Sequence, residues 1–214
     1  MKSLLVKDYG LMRQRGKILL FLVLWGIVMN LVMEDGMFVV GWIVMIAVIS
    51  SISTISYDEY DNCMPFLMSL PVTRRDYALE KYVFPLITGI LFWIISVIIV
   101  FVTGMFTGKP ISLDTDLPGM VLFLILMMLI PAVSVPSQLK WGAEKGRIVL
   151  IFIFGIPTVV FFLLAHFGVD FEGAAEQLSQ YPMYMFFLAV FLICLVIIFV
   201  SVYLSIRIME KKEF

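Results

Sequence analysis

Long apolar stretches alternate with short polar ones along this 214-residue chain. A helix that crosses a bilayer needs about 20 mostly apolar residues, and six stretches reach or approach that length. The apolar runs are continuous rather than strictly alternating, which excludes the strands of a membrane β-barrel. The pattern predicts an all-α integral membrane protein that forms one transmembrane domain. The six predicted spans lie at about 18–33, 37–55, 83–106, 119–135, 148–167 and 183–206.

The first of these runs is the shortest, and Gly26 and Asn30 weaken it further. A cleaved signal peptide is the alternative interpretation. No small-residue cleavage site follows the run, because the next residues are Glu34, Asp35 and Gly36. We therefore count it as a span.

Composition agrees with a membrane protein. Hydrophobic residues make up 62% of the chain and charged residues 14%, whereas soluble domains carry about 25% charged residues. The two cysteines, Cys63 and Cys194, have no metal-site or disulfide spacing, and we expect both to be free thiols.

Basic residues predict the orientation of the spans. With six spans, fourteen of the 15 lysines and arginines fall on one side of the membrane, and only Lys109 falls on the other. The positive-inside rule then places both termini in the cytoplasm, and the resemblance described below implies a bacterial cytoplasmic membrane. A basic segment at 1–17 carries Leu5, Tyr9 and Met12 at helical spacing. It predicts an amphipathic helix in the membrane interface, with a frayed positive tail as the alternative.

The loop at 56–82 is unusually polar and contains two helix-start signals. Ser56 and Glu59 match a capping box, and Thr73 and Asp76 have the equivalent spacing before the third span. Because prolines interrupt the segment between them, the loop predicts a short helix, a turn and a helical elbow that continues into the membrane.

Apolar residues are interleaved with the charges of this loop. An exposed apolar cluster usually covers membrane surface or contacts a partner, so the loop is interpreted as a docking surface. A solvated loop is the alternative. The apolar residues are Met64, Phe66, Leu67, Met68, Leu70 and Val72.

The phrase SLPVTRRDYALEKY at 69–82, with Asp58-Glu59 ahead of it, resembles the permease subunits of bacterial type-2 ABC exporters. Among them it is most similar to the phenol-soluble-modulin exporter permeases. The resemblance implies that the loop carries a coupling helix, which seats in a groove of a separate ATPase subunit, and that the N-terminal helix also touches this ATPase. The residues expected to contact the ATPase are Tyr57, Asp58, Glu59, Tyr60, Asp61, Met64, Phe66, Leu67, Arg74 and Arg75.

The resemblance also implies an assembly of two permease protomers, identical or related, with two copies of the ATPase. The substrate path would lie between the protomers. Residues 168–182 would form an outer re-entrant element, although an ordinary polar loop fits that stretch equally well. The abundance of Met (15) and Phe (19) suits an amphipathic peptide or hydrophobic cargo and contact with lipid. No nucleic acid is expected as a partner.

The chain has no nucleotide or catalytic motif of its own. The nearest approach to a P-loop runs from Gly10 to Ile18, but it has one residue too many between its glycines, and Ile18 replaces the metal-binding Ser or Thr. His166 is the only histidine, which provides no zinc-site pattern. We expect no enzyme activity and no cofactor in this chain, with ATP and Mg²⁺ bound by the partner ATPase.

A secondary, ion-coupled transporter is the main alternative function, and a small membrane protein without transport activity is another. Ion-coupled carriers usually hold ionisable residues at membrane depth. None of the six predicted spans has a carboxylate, lysine or arginine near its middle. The pattern therefore favours energy from ATP. Kinks at Pro131, Pro136 and Pro157 suit either class.

The predicted topology can be tested by cysteine labelling in a cysteine-free background. Single cysteines at residues 112 and 175 should react with an impermeant thiol reagent that is added outside intact cells, because both lie in outer loops. A cysteine at residue 142 should not react. Labelling at 142 in intact cells would contradict the six-span arrangement.

Overall fold

The helices follow the apolar runs closely. A computed structural model describes residues 1–33, 36–60, 63–69, 71–107, 116–167 and 183–212, and these residues contain no strand. Their helices are α1 (Lys2–Gln14), α2 (Gly16–Met33), α3 (Gly36–Ile52), α4 (Thr54–Glu59), α5 (Cys63–Ser69), α6 (Arg74–Thr107), α7 (Asp116–Met127), α8 (Leu129–Trp141), α9 (Ala143–His166) and α10 (Met183–Lys211).

Four helical stretches within the described residues are long and apolar enough to cross a membrane. A fifth is added if α1 and α2, which are bent by 64° relative to each other, count as one span. The predicted spans 18–33 and 148–167 coincide with α2 and α9, but neither helix meets this standard alone. The count of six spans therefore stays a prediction. The four stretches are Gly36–Glu59, Arg74–Phe106, Asp116–Trp141 and Met185–Lys211.

Helix α3 is the centre of the bundle. It packs most extensively on α6 and also contacts α2, α7 and α8. Small residues allow this close approach: a Cβ at Gly89 of α6 would lie 3.1 Å from Val48, and one at Gly41 would lie 3.0 Å from Phe123. Ala47 and Ser51 are fully buried on the same helix. Helix α10 is much less buried than α3, and most of its apolar surface is exposed.

One of the two predicted helix starts is confirmed and the other is wrong. Thr73 Oγ1 accepts a hydrogen bond from the Asp76 backbone N–H at 3.0 Å and donates to the Asp76 carboxylate at 2.8 Å, and α6 begins at the next residue. The Ser56–Glu59 pair does not mark a helix start, because α4 begins at Thr54 and both residues lie inside it. The hydroxyl of Ser53 instead donates back to the Ile49 carbonyl, so α3 passes into α4 with only a local break.

The N-terminal segment forms a helix, but its buried face differs from the predicted stripe. Leu4, Asp8 and Met12 are buried, whereas Tyr9 is 65% exposed. Tyr9 lies outside the face that packs on the bundle, because α1 turns a charged residue, Asp8, towards the bundle. Its position in a membrane interface stays a prediction.

The remaining loop features divide into described and undescribed parts. Pro65 lies in the first turn of α5, where a proline breaks no helical hydrogen bond. Asp61, Leu70 and the segment 168–182 lie outside the described residues.

Gly142 ends α8 with φ of 85°, a conformation that a cysteine would strain. Lys145, which is exposed in the next helix, is therefore the better position for the inner labelling probe.

Candidate functional site

Charged side chains from three helices meet at the end of the bundle where α6 begins. Lys81 of α6 lies 2.5 Å from Asp8 Oδ2 of α1 and 2.9 Å from Asp58 Oδ2 of α4. All three side chains are almost inaccessible to solvent. We call this group, together with two neighbours, the ion cluster; its members are Lys7, Asp8, Asp58, Glu80 and Lys81.

Local sequence places each of these side chains. Asp8 shares the buried face of α1 with Leu4 and Met12, at spacings of four residues. Asp58 points inward because α4 continues from the buried helix α3. The Thr73 cap begins α6 at Arg74, which places Glu80 and Lys81 in its second turn.

Lys81 uses its donors on groups from different helices. Besides the two aspartates, its ammonium donates to Thr54 Oγ1 at 3.2 Å, and Thr54 in turn donates to Asp8 Oδ2 at 2.7 Å. A lysine ammonium has three N–H donors, so these contacts saturate it. Its fourth neighbour, Glu80 Oε2, lies 3.4 Å away.

Each aspartate has further partners. Tyr77 donates its hydroxyl to Asp58 Oδ2 at 3.0 Å, and Lys7 contacts Asp58 and lies 3.1 Å from Asp8 Oδ1. Burial opposes ionisation of Asp8, but the positive charges of Lys81 and Lys7 outweigh it, so the pKa of Asp8 is lowered from its ordinary value. Asp8 is therefore an anion held by two cations.

A second set of contacts joins α4 and the start of α6 to the start of α9 and to the residues at the end of α10. Glu59 Oε2 accepts a hydrogen bond from the Ala143 N–H at 2.5 Å, at the first residue of α9, and its other oxygen lies 3.6 Å from Lys212. Arg74 donates to the Glu210 carbonyl at the end of α10 at 2.8 Å. We call this set the C-terminal clamp; its members are Glu59, Arg74, Arg75, Ala143, Glu210 and Lys212.

The family of the chain follows from a comparison with family models. The model described as ABC-2 family transporter protein matches residues 3–210, which is nearly the whole sequence. The chain belongs to this family. No curated protein and no solved structure matches it. Membership supports a multi-pass membrane permease of an ABC exporter, and it implies a partner ATPase component.

Within this ABC-2 permease, the described residues that are expected to contact the ATPase fall into three groups. Asp58, Met64 and Leu67 are buried in the bundle, and Glu59, Arg74 and Arg75 belong to the C-terminal clamp. Tyr57, Tyr60 and Phe66 are exposed, the last two at 72% and 68%. Asp61 lies outside the described residues. Contact of any of these residues with an ATPase stays a prediction.

The ion cluster was not predicted from the sequence as a unit. Lys7 and Lys81 entered only the count of basic residues on one side of the membrane, and Asp8 and Glu80 had no predicted role. One signal was available: Asp8 has apolar residues four positions before and after it, Leu4 and Met12. A charge in the middle of an apolar helix face indicates a buried ionic partner.

Replacing Lys81 with Met tests whether the ion cluster joins α1, α4 and α6. The change keeps the length and helix propensity of the side chain but leaves two buried carboxylates without their shared cation. Loss of one partner of a buried pair typically costs about 3–5 kcal/mol. We expect a fall of that size in the free energy of unfolding, measured by titrating the purified permease from mild detergent into a denaturing one.

Arg75→Met is the matched control. Arg75 also pairs with a carboxylate, that of Glu210, but both side chains are substantially exposed, so its loss should leave the unfolding free energy almost unchanged. Equal effects of the two substitutions would contradict a special role for Lys81.

Proposed function

We propose that this chain is the membrane-spanning permease subunit of an ATP-driven exporter whose ATP is hydrolysed by a separate ATPase subunit. Its membership of the ABC-2 family supports the permease role. The observation that carries the mechanism is the position of α4 and α5: exposed aromatic side chains follow directly on a helix whose acidic residue is bound to α1 and α6.

The exposed part of this segment is proposed as the surface that contacts the ATPase. Tyr60 directly follows α4 and Phe66 lies within α5, and both are largely exposed. Aromatic residues that fill a pocket of a partner contribute most to typical interfaces. Phe66 is therefore the proposed anchor.

Asp58 and Glu59 are proposed to transmit movement rather than to touch the ATPase. Asp58 shares Lys81 with Asp8, so a displacement of α4 acts on both α1 and α6. Glu59 binds the first N–H of α9, which extends the same displacement to α9. Helices α6 and α9 continue into apolar segments. A displacement of α5 that moves α4 would therefore also move the proposed membrane-spanning part.

The rest of the assembly is proposed from the same family. Two permease protomers, identical or related, would bind two ATPase subunits, with both chain termini in the cytoplasm. The apolar surface that α10 exposes suits contact with lipid or with the second protomer. The cargo is proposed to be an amphipathic peptide or another hydrophobic molecule, as the resemblance of residues 69–82 to the phenol-soluble-modulin exporter permeases implies.

The anchor role of Phe66 can be tested with one substitution. Phe66→Ser should reduce the amount of ATPase that copurifies with the permease and should reduce transport-stimulated ATP hydrolysis, because it removes an exposed ring without breaking a described internal contact. We expect a loss of about tenfold in complex yield, since an interface anchor contributes about 1–2 kcal/mol or more.

Phe106→Ser serves as the control for Phe66→Ser. Phe106 is also exposed, but it lies at the opposite end of α6, so complex yield should be unchanged there. Asp58→Ala is less informative, because it disrupts the ion cluster as well. Normal yield and normal hydrolysis in Phe66→Ser would remove the coupling role from α5.

A separate prediction concerns the energy source. Export by the reconstituted complex should continue when an uncoupler collapses the proton gradient while ATP is maintained. The ion cluster does not change this expectation, because Asp58, Glu80 and Lys81 lie near the ends of the stretches Gly36–Glu59 and Arg74–Phe106 and not near their middle. Arrest of transport by the uncoupler in ATP-supplied proteoliposomes would favour the ion-coupled alternative.

A further inference from the structure

The ion cluster contains more acids than bases. Three carboxylates and two ammonium groups lie together, so the cluster would carry a net charge of −1 if every member were ionised. Only Lys7 has appreciable exposure, with 28% of its side chain accessible. An uncompensated charge in such a site is costly, and proteins usually neutralise one of the groups instead. The charge count therefore points to one bound proton.

Glu80 is the carboxyl group with the least support for a negative charge. Its side chain is completely buried, and neither of its oxygens has a hydrogen-bond partner among the described residues. Its nearest cation, Lys81 at 3.4 Å, is closer to both Asp8 and Asp58. The two aspartates thus take the positive charge that an ionised Glu80 would need.

Asp8 is the nearby group that could accept a hydrogen bond from a protonated Glu80. Asp8 Oδ1 is buried and accepts no hydrogen bond from the described residues, although the Lys7 charge lies nearby. Glu80 Oε2 and Asp8 Oδ2 lie 3.4 Å and 2.5 Å from the same ammonium group, that of Lys81, which places the two carboxyl groups next to each other. Two carboxylate oxygens can form a hydrogen bond only when one of them carries a proton.

We propose that Glu80 and Asp8 hold one proton between them, which makes the ion cluster a proton-binding site with a net charge of zero. The proton resides on Glu80, and Asp8 accepts the hydrogen bond as an anion. The other charged or titratable groups that face this pair are Lys7 from α1, Asp58 from α4, and Tyr77 and Lys81 from α6. This inference goes beyond the proposed export function and does not depend on it.

The proton matters because it completes the contact between α1 and α6. Its release would leave a net negative charge between two packed helices and would remove the direct Glu80–Asp8 hydrogen bond. Glu80→Gln keeps a donor at this position without a titratable proton, so that variant should keep α1 docked.

Infrared spectroscopy of the purified full-length permease in lipid nanodiscs tests the proposal. At neutral pH, exposed aspartates and glutamates are ionised, so the carbonyl stretch of a protonated carboxylic acid should come from a buried group. We expect this band in the wild-type protein and its loss in Glu80→Gln. Glu144→Gln is the matched control, because Glu144 is exposed in the first turn of α9, and the band should persist there.

Asp8→Asn provides a sharper test of the charge count. With Asp8 neutral, two ammonium groups balance the two remaining carboxylates, so Glu80 should ionise and the band should disappear although Glu80 is still present. Absence of the band in the wild-type protein, which requires no variant to fold, would overturn the proposal. Its persistence in Glu80→Gln or Asp8→Asn protein that elutes as the wild type in gel filtration would also overturn it.

Discussion

This end of the structure depends on the two ion pairs that the ammonium group of Lys81 forms. It is almost inaccessible to solvent and binds a carboxylate from α1 and another from α4. None of the three helices could keep its charge in this position alone, because an unpaired charge in such surroundings costs several kcal/mol. The ion pairs therefore hold α1, α4 and α6 together. The apolar packing of α3 against α6 continues from the ion cluster into the bundle.

Within α4, α5 and the residue that follows α4, Tyr60, the buried charge and the exposed aromatic side chains lie on different sides. Asp58 faces the bundle, whereas Tyr60 and Phe66 face away from it. A docking surface built this way does not need its charges for recognition. The charges hold the segment at a defined position, and the aromatic rings are available to a partner. Such a division would let an ATPase displace the segment as a unit with α1 and α6.

Features that depend on neighbouring residues could be predicted from the sequence, and features that depend on distant ones could not. The apolar runs placed most helices, and the Thr73–Asp76 pair marked the start of α6, because both signals are local. The Ser56–Glu59 pair had the same local form but failed, since continuation of α3 into α4 left no free helix end to cap. The ion cluster joins residues 51 and 73 positions apart, and no spacing rule connects them. The permease role was suggested by the resemblance of residues 69–82 and is supported by the family match over residues 3–210, whereas hydropathy alone is shared by unrelated membrane proteins.

The separation between Asp8 and Lys81 also affects how the protein is made. Helix α1 is synthesised before α6, and the cation that binds Asp8 is added 73 residues after it. At roughly 5–20 residues per second, Lys81 is synthesised on the order of several seconds after Asp8. During that interval α1 has no buried site for its charge and remains in contact with water or the membrane surface. Docking of α1 against α6 is therefore a late step in the folding of this permease, because it can follow only after α6 has been synthesised.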